Sequence, residues 1–505
     1  MKRPSMDRAV RRGRLPRRLV RRRTGSRVAG LVGLVAVAFA ALAVVPPTTA
    51  AYMDTAQAQT SADQSPLLTQ TTRMVPTNTY LSNTATAIQD DGTLWVWGFR
   101  GNGLAGNGTL TVPSTAPPTP VILPNTGYTG PNHRYIVRVA GTSLDDYYPT
   151  DINYTGMAAL SDDGQVYTWG GSSTNNVMGR PSSPIPYTQP GPVAIPGTVV
   201  DLRSSSGVFM ALTSTGDLYT WGYAQGRGIT GQGTPTASSP TPSLIMSGVH
   251  SIGAGMWNGW AVRGNFNPND MTTGVFWWGW ANAGSSYASD PSGDNLGVNR
   301  NAPFRSTILS AFAQSGCDTV GVVMGSAADT CTITSLTGHY FGNQLVFDGG
   351  HMATWGDATN FGTGRAYVSG AVSAQPMALT LPNNDTVAAV APSEDYVEVL
   401  GASGQVYIYG RYSFGRGPDP TLGTPSTTNI VAPAQIVPLG STVTAIGAFG
   451  YSGTALNADG SYVNWGGGTA GGNNNTYSSI INSWATNTTP TTAVQGLTTM
   501  IPPGS

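Results

Sequence analysis

A repeated unit constrains this chain more than any other feature. Residues 159–170 read Ala-Leu-Ser-Asp-Asp-Gly-Gln-Val-Tyr-Thr-Trp-Gly. Ala159 and Leu160 end one apolar run, and Gln165–Trp169 alternates as a strand does. Asp-Gly between two such runs predicts a hairpin with a type I′ turn, which needs φ > 0 at both central residues. The closing aromatic-glycine pair recurs at Trp97, Trp169, Trp221, Trp278, Trp355, Tyr409 and Trp465. In six of the seven copies a glycine stands five residues earlier: Gly92, Gly164, Gly216, Gly350, Gly404 and Gly460. In the fourth copy Gly274 comes one residue late. The intervals are 72, 52, 57, 77, 54 and 56 residues. A hairpin repeated every ~50–60 residues predicts a β-propeller.

Composition agrees with an all-β chain. There are 66 Gly and 36 Pro in 505 residues, and only 10% of residues are charged. The net charge of zero hides an asymmetry. Residues 1–27 hold 12 of the 25 basic residues and one of the 25 acids. The remainder carries 13 Arg against 24 acids, a net of −11, and no Lys. Such a body is a poor partner for nucleic acid, whose binding requires phosphate neutralisation.

Behind the Arg-rich start, Val28–Val45 runs eighteen residues without a charge. Residues 1–58 therefore read as an export signal. The apolar run also just reaches spanning length, so an uncleaved anchor is the alternative. Cleavage would follow Ala50 or the Ala56-Gln57-Ala58 triplet. The positive-inside rule puts the body outside the cell in either case, extracellular or at the cell surface. Ala50-Ala51-Tyr52-Met53-Asp54-Thr55-Ala56 resembles the Ala-Tyr-Phe-x-Asp-x-Ala signature of exported Gram-positive matrix and fibre proteins, with Met53 in place of Phe. Residues 59–74 read as a polar linker and 75–505 as the propeller. Within each copy a Gly/Asn-rich loop comes first, as in Asn102–Gly106. A Pro-Val strand such as Pro192–Ile195 follows, then a strand ending in small residues such as Ile136–Gly141. With the hairpin, that makes four strands per copy.

These residues resemble the regulator of chromosome condensation repeat, whose consensus joins Val-x-x-Val-Ala-x-Gly, Ala-Leu-x-x-x-Gly-x-Val-x-x-Trp-Gly and a Gly-Gln-Leu-Gly loop. The resemblance covers about residues 75–501. It implies a seven-bladed propeller closed by a tail, here Ala493–Leu497 and Thr499–Ile501, pairing with the first blade. The family's His before the Ala-Leu strand is missing, and Gln232-Gly233 keeps only part of the last motif. The nucleotide-exchange activity of nuclear members is not carried over. A secreted bacterial branch that inhibits β-lactamases through an aromatic-rich ring face is a precedent for a role.

Strand polarity places the Asp-Gly turns on one ring face and the longer loops on the other. Those loops carry the candidate partner-binding aromatics Tyr147, Tyr148, Tyr154, Trp257, Trp280, Tyr287 and Tyr412. Tyr340, Tyr396 and Trp484 belong to the same set. Loop aromatics fit hot-spot chemistry. Loop aromatics folded onto their own blade are the alternative.

Other motifs read as structural. Asp90-Asp91-Gly92 and Asp162-Asp163-Gly164 are turn residues. A full Ca²⁺ loop needs more oxygen ligands at set spacings than these turns offer, and Asp290–Asn295 is the better Ca²⁺ candidate. Leu123-Pro124-Asn125-Thr126-Gly127 matches a sortase signal but lies internally, so it reads as a loop. His133, His250, His339 and His351 lack metal-ligand spacing. No cofactor or metal is expected. Cys317 and Cys331 predict one disulfide in an exported chain, stapling an insertion at Ser306–Asn343, with two buried thiols as the alternative. The sequence thus predicts an exported, non-catalytic module binding a protein partner. A secreted enzyme inhibitor and a carbohydrate-active propeller enzyme are the alternatives.

Overall fold

A computed structural model describes residues 74–492 apart from several stretches, the longest being 111–118, 143–154, 282–290, 311–332, 366–374 and 467–490. The described residues are almost entirely β. They form successive antiparallel meanders, each filled in chain order from its inner to its outer strand.

The first meander comprises Met74–Pro76, Thr84–Gln89, Leu94–Gly98 and Thr119–Val121. The second comprises Ile136–Thr142, Gly156–Ser161, Val166–Trp169 and Gly191–Pro192. The third takes Val199–Ser205, Val208–Thr213, Leu218–Gly222 and Ser239–Met246. One continuous eight-stranded sheet follows. Its first half is Val249–Gly255, Asn258–Arg263, Gly274–Gly279 and Arg300–Arg305, the fourth meander. Its second half is Ile333–Gly338, Gly342–Phe347, His351–Gly356 and Met377–Leu379, the fifth. A single parallel pair, Ala254 with Thr337, joins the halves. Val387–Pro392, Tyr396–Gly401, Val406–Gly410 and Ile430–Gln435 make the sixth meander. Val443–Phe449, Ser452–Asn457, Tyr462–Gly466 and Thr491–Thr492 make the last.

The inner strands explain why apolar residues three apart can share a face. A regular strand would put Ile136 and Val139 on opposite faces. The register shifts between Ile136 and Arg138, so Val137 is an extra residue and the two apolar side chains align. The same bulge recurs between Val249 and Ser251, Ile333 and Ser335, Val387 and Ala389, and Val443 and Ala445. In the third meander it falls between Val199 and Asp201. Each aligned pair packs against the preceding meander. Ile136 and Val139 lie with Ile88, Leu94 and Val96, while Val199 and Leu202 lie with Leu160 and Val166. The core is thus a series of seams between meanders.

The hairpin turns differ from the expected type. No Asp among the described turn residues has positive φ; only the glycine does, with Gly92 at 79° and Gly164 at 78°. Gly164 N–H donates to Ser161 O at 2.9 Å, and Ser161 N–H donates to Gln165 O at 3.0 Å. This is a three-residue loop, a type I turn closed by a left-handed glycine bulge, and not type I′. The turn glycine also lies against the next meander. Gly92, Gly164, Gly216 and Gly404 accept hydrogen bonds from Ile136, Val199, Val249 and Val443 at 2.9–3.0 Å. A Cβ on Gly164 would stand 2.3 Å from Thr198 Cγ2. Close approach and φ together demand glycine here.

The first and last meanders meet where Thr79 N–H donates to Ala448 O at 3.1 Å and Thr79 bridges Phe449 in parallel. Among the described residues the first meander is built from residues 74–121; the resemblance implied that the tail pairs with it. That tail, at 493–501, lies outside the described residues. Ile333–Gly338, counted above as insertion, is an inner strand. Cys317 and Cys331 lie outside the described residues. Prolines stand in five of the seven described outer strands: Pro120, Pro192, Pro240 with Pro242, Pro303 and Pro433.

Candidate functional site

The repeat aromatics hold the seams together. Trp97, Trp169, Trp221, Trp278, Trp355 and Tyr409 are all 0% exposed. Trp465 lies in Tyr462–Gly466. Three indoles reach back to the loop of the preceding meander. Trp169 Nε1 donates to Leu104 O at 3.0 Å, Trp221 to Val177 O at 3.0 Å and Trp278 to Ile229 O at 2.9 Å. Burial pushes the Tyr409 phenol far up. In the loops beyond, Arg180 and Arg365 occupy the place that Gln232 holds in the third meander. Each donates to the threonine before the repeat Trp: Arg180 to Thr168, Arg365 to Thr354 and Gln232 to Thr220. Burial lowers both guanidinium pKa values. These arginines escaped sequence reasoning because only one copy keeps the Gln.

The loop end of the hairpins gathers a different set of aromatics. Trp257 sits in the tight turn between Gly255 and Asn258, and Trp280 follows Gly279. Trp280 N–H donates to Trp257 O at 3.0 Å, which fixes one beside the other. Their rings meet edge-on at 4.8 Å, and Tyr340 from the fifth meander meets Trp257 at 4.9 Å. Tyr340 in turn meets Phe341 at 4.9 Å. The Arg227 guanidinium lies 4.8 Å from both indole centres, and Arg411 lies 5.4 Å from the Phe341 ring. Arg227 is held by Gln225, which accepts from Nη1 at 2.6 Å and itself donates to Ser206 O at 2.8 Å. The result is one stacked series of rings, with an arginine at each end, drawn from loops of four meanders.

Burial revises the expected roles. Trp257 is 6% exposed and packs on Val208, Ile229 and Met256, and Tyr396 is a strand residue at 0%. Neither is an exposed loop aromatic: Trp257 is covered by Trp280 and Tyr340, and Tyr396 packs among Ala391, Ile408, Ile446 and Ala448 in the core. Trp280, Tyr340 and Arg227 are half-buried. Tyr147, Tyr148, Tyr154, Tyr287, Tyr412 and Trp484 lie outside the described residues. Arg227, Phe341 and Arg411 were not singled out from sequence; their loops have no shared register from which to infer a meeting.

His339 anchors the same region. Its Nδ1 lies 3.4 Å from Glu394 O and its Nε2 3.2 Å from Gly362 O. Burial pulls its pKa down to about 4, so the ring is neutral at pH 7. Tyr340 N–H donates to Glu394 O and Glu394 N–H to Gly450 O, so hydrogen bonds run from the fifth meander to the last.

The opposite end is less plain than the sequence suggested. The connection from Ile122 to Tyr135 folds over the Asp162-Asp163 turn. Tyr128 OH donates to Asp162 at 2.6 Å, and Arg134, 5% exposed, pairs with Asp163 at 3.0 Å. Asn125 and Thr126 of the sortase-like stretch accept from Arg134, which makes that stretch a pinned loop. Among the described residues no group of three or more His, Cys, Asp or Glu is placed to hold a metal ion. Most of Asp290–Asn295 lies outside them.

Comparison with known families finds no match. The chain is similar to protein pim1 of Schizosaccharomyces pombe, 30% identical over 110 residues. That is 21% of this chain and 20% of pim1, so the match spans about a fifth of that relative's length. Among solved structures it resembles human WBSCR16, with 17% identity and a TM-score of 0.53 over 76% of this chain and 86% of that one. It also resembles Prp20p, the yeast RCC1 of Saccharomyces cerevisiae, with 17% identity and a TM-score of 0.52 over 73% of this chain and 79% of that one. The printed description of Prp20p concerns its binding to Gsp1p and histones. At this identity the likeness shows the fold, an RCC1-like propeller.

Proposed function

We propose that the chain is an exported, seven-bladed member of the regulator of chromosome condensation repeat group, acting as a non-catalytic module that binds a protein partner through its loop end. The carrying observation is the stacked series of Trp280, Trp257, Tyr340 and Phe341 with Arg227 and Arg411 at its ends. Trp280, Tyr340, Arg227 and Arg411 are half-buried and within reach of a partner, while Trp257 and Phe341 are buried and support them. Aromatics and arginines are enriched among interface hot spots, at about 2 kcal/mol or more each. The protein partners named for Prp20p support a binding role for the fold. The net of −11 beyond residue 27 favours partners other than nucleic acid. The segment Val28–Val45 carries the body across the membrane, and a place at the cell surface or in the extracellular matrix follows.

The test is photocrosslinking from residue 280 on intact cells, followed by affinity measurement on the partner recovered. Trp280→Ala and Arg227→Ala should weaken binding at least about tenfold, whereas Asp163→Asn should leave it unchanged. The reverse pattern, with all variants folded, would place the working surface on the turn end.

A further inference from the structure

The inner strands surround an axial cavity of about 60 Å³, lined in part by Thr79, Arg203, Ser204 and Thr337. Drug-sized ligands need ~300 Å³ or more. The space suits a few waters or a small ion. Arg203 belongs to a charged cluster at the seam between the second and third meanders. Asp201 pairs with Arg138 at 3.0 Å and with Arg203 at 3.2 Å, and its side chain is only 4% exposed. Two guanidinium groups thus share one carboxylate, and Arg203 is the one charged residue among the described lining of the cavity. This local excess of positive charge stands inside a body whose charge is otherwise negative.

A second observation points to the same place. Thr79 is 6% exposed, lines the cavity, and its hydroxyl has no hydrogen-bond partner among the described residues. A buried hydroxyl left without a partner is destabilising, and a ligand that accepts from it removes that cost. Its backbone N–H is already committed to the seam at Ala448. Guanidinium nitrogens and a hydroxyl are the donors that recognise an oxyanion.

We infer that the axial cavity is a binding site for a small oxyanion, with Arg203 as its principal contact, Thr79 as a neutral donor, and Asp201 as the internal carboxylate with which the anion competes. Occupancy ties the third meander to Thr79, the residue at which the first meander meets the last. A tetrahedral inorganic anion and a carboxylate share this chemistry, and separate titrations distinguish them.

The experiment is isothermal titration of the full chain with sodium sulfate, and separately with sodium acetate, at ionic strength held constant with sodium chloride. Saturable binding of one of them is expected. Arg203→Gln should weaken it at least about tenfold, Thr79→Val about threefold, and Asp201→Asn should tighten it. If Asp201→Asn does not fold, the other two variants decide. Heats indistinguishable from chloride would overturn the inference. So would unchanged affinity in Arg203→Gln, or weaker affinity in a folded Asp201→Asn.

Discussion

The two ends of each hairpin obey different rules. At the turn end the same bond is made repeatedly: a left-handed glycine offers its carbonyl to the first residue of the next inner strand. At the loop end three described connections still share the position of Arg180, Gln232 and Arg365, while others differ and bring aromatics from separate loops edge-on into one cluster. The first end fixes the angle between neighbouring meanders, so its chemistry must repeat. The second end is spared that duty, so its residues are free to diverge. Loops held on a rigid scaffold are where binding residues commonly collect.

The sharpest test of this division is the repeat aromatic. Trp221→Ala removes a fully buried indole and its bond to Val177 O, and should cost about 3–5 kcal/mol. Trp280→Ala removes a half-buried ring and should cost much less. Chemical denaturation of both variants checks this, and equal losses would erase the distinction between the two ends.

Acid should next expose the loop end. His339 is neutral in the fold, with its pKa near 4, whereas the unfolded chain protonates near 6.5. The unfolded state therefore binds more protons between these values, and stability falls as pH drops from about 6.5 to 4. The full effect is on the order of 3 kcal/mol. His250, also lowered by burial, acts in the same direction. His339→Gln should flatten the pH dependence of the melting midpoint across this window. Below it the lowered carboxylates Asp163 and Asp385 take over, losing their stabilising charge on protonation.

The turn end can be dissected with glycine. Gly164→Ala meets both positive φ and Thr198, whereas Gly127→Ala meets positive φ alone, with nothing within 4 Å. Gly127→Ala should cost about 1 kcal/mol, and Gly164→Ala roughly 2–3 kcal/mol. Similar costs would mean that the turn glycines answer to backbone conformation and not to the neighbouring meander.

The smallest effect should be Tyr128→Phe. It removes the exposed bond to Asp162 and should shift stability by less than about 1 kcal/mol. A larger loss would make the Ile122–Tyr135 connection a second determinant of the turn end.

What was legible in the sequence follows the same division. The meanders could be read from Trp-Gly and the upstream glycine because both are local demands, set by one turn and one seam. The turn type was misread because Asp-Gly fits either hairpin, and only the hydrogen bonds of Ser161, donating to Gln165 O and accepting from Gly164 N–H, decide. The Val-x-x-Val spacing was visible, yet its cause, a bulge in each inner strand, needs the partner strand to appear. Trp257 read as exposed because loop membership says nothing about the Trp280 and Tyr340 rings that cover it. Arg227 gave no signal, since its partners lie in another meander.

Each outer strand leaves one row of backbone groups facing water, and a radial arrangement of sheets multiplies such rows. In five strands that row is interrupted by a proline, which has no N–H to offer a visiting strand. Many copies of this chain can therefore be held close together without fusing rim to rim. Crowding on a surface would leave the molecules separate, and their loop ends still open to a partner.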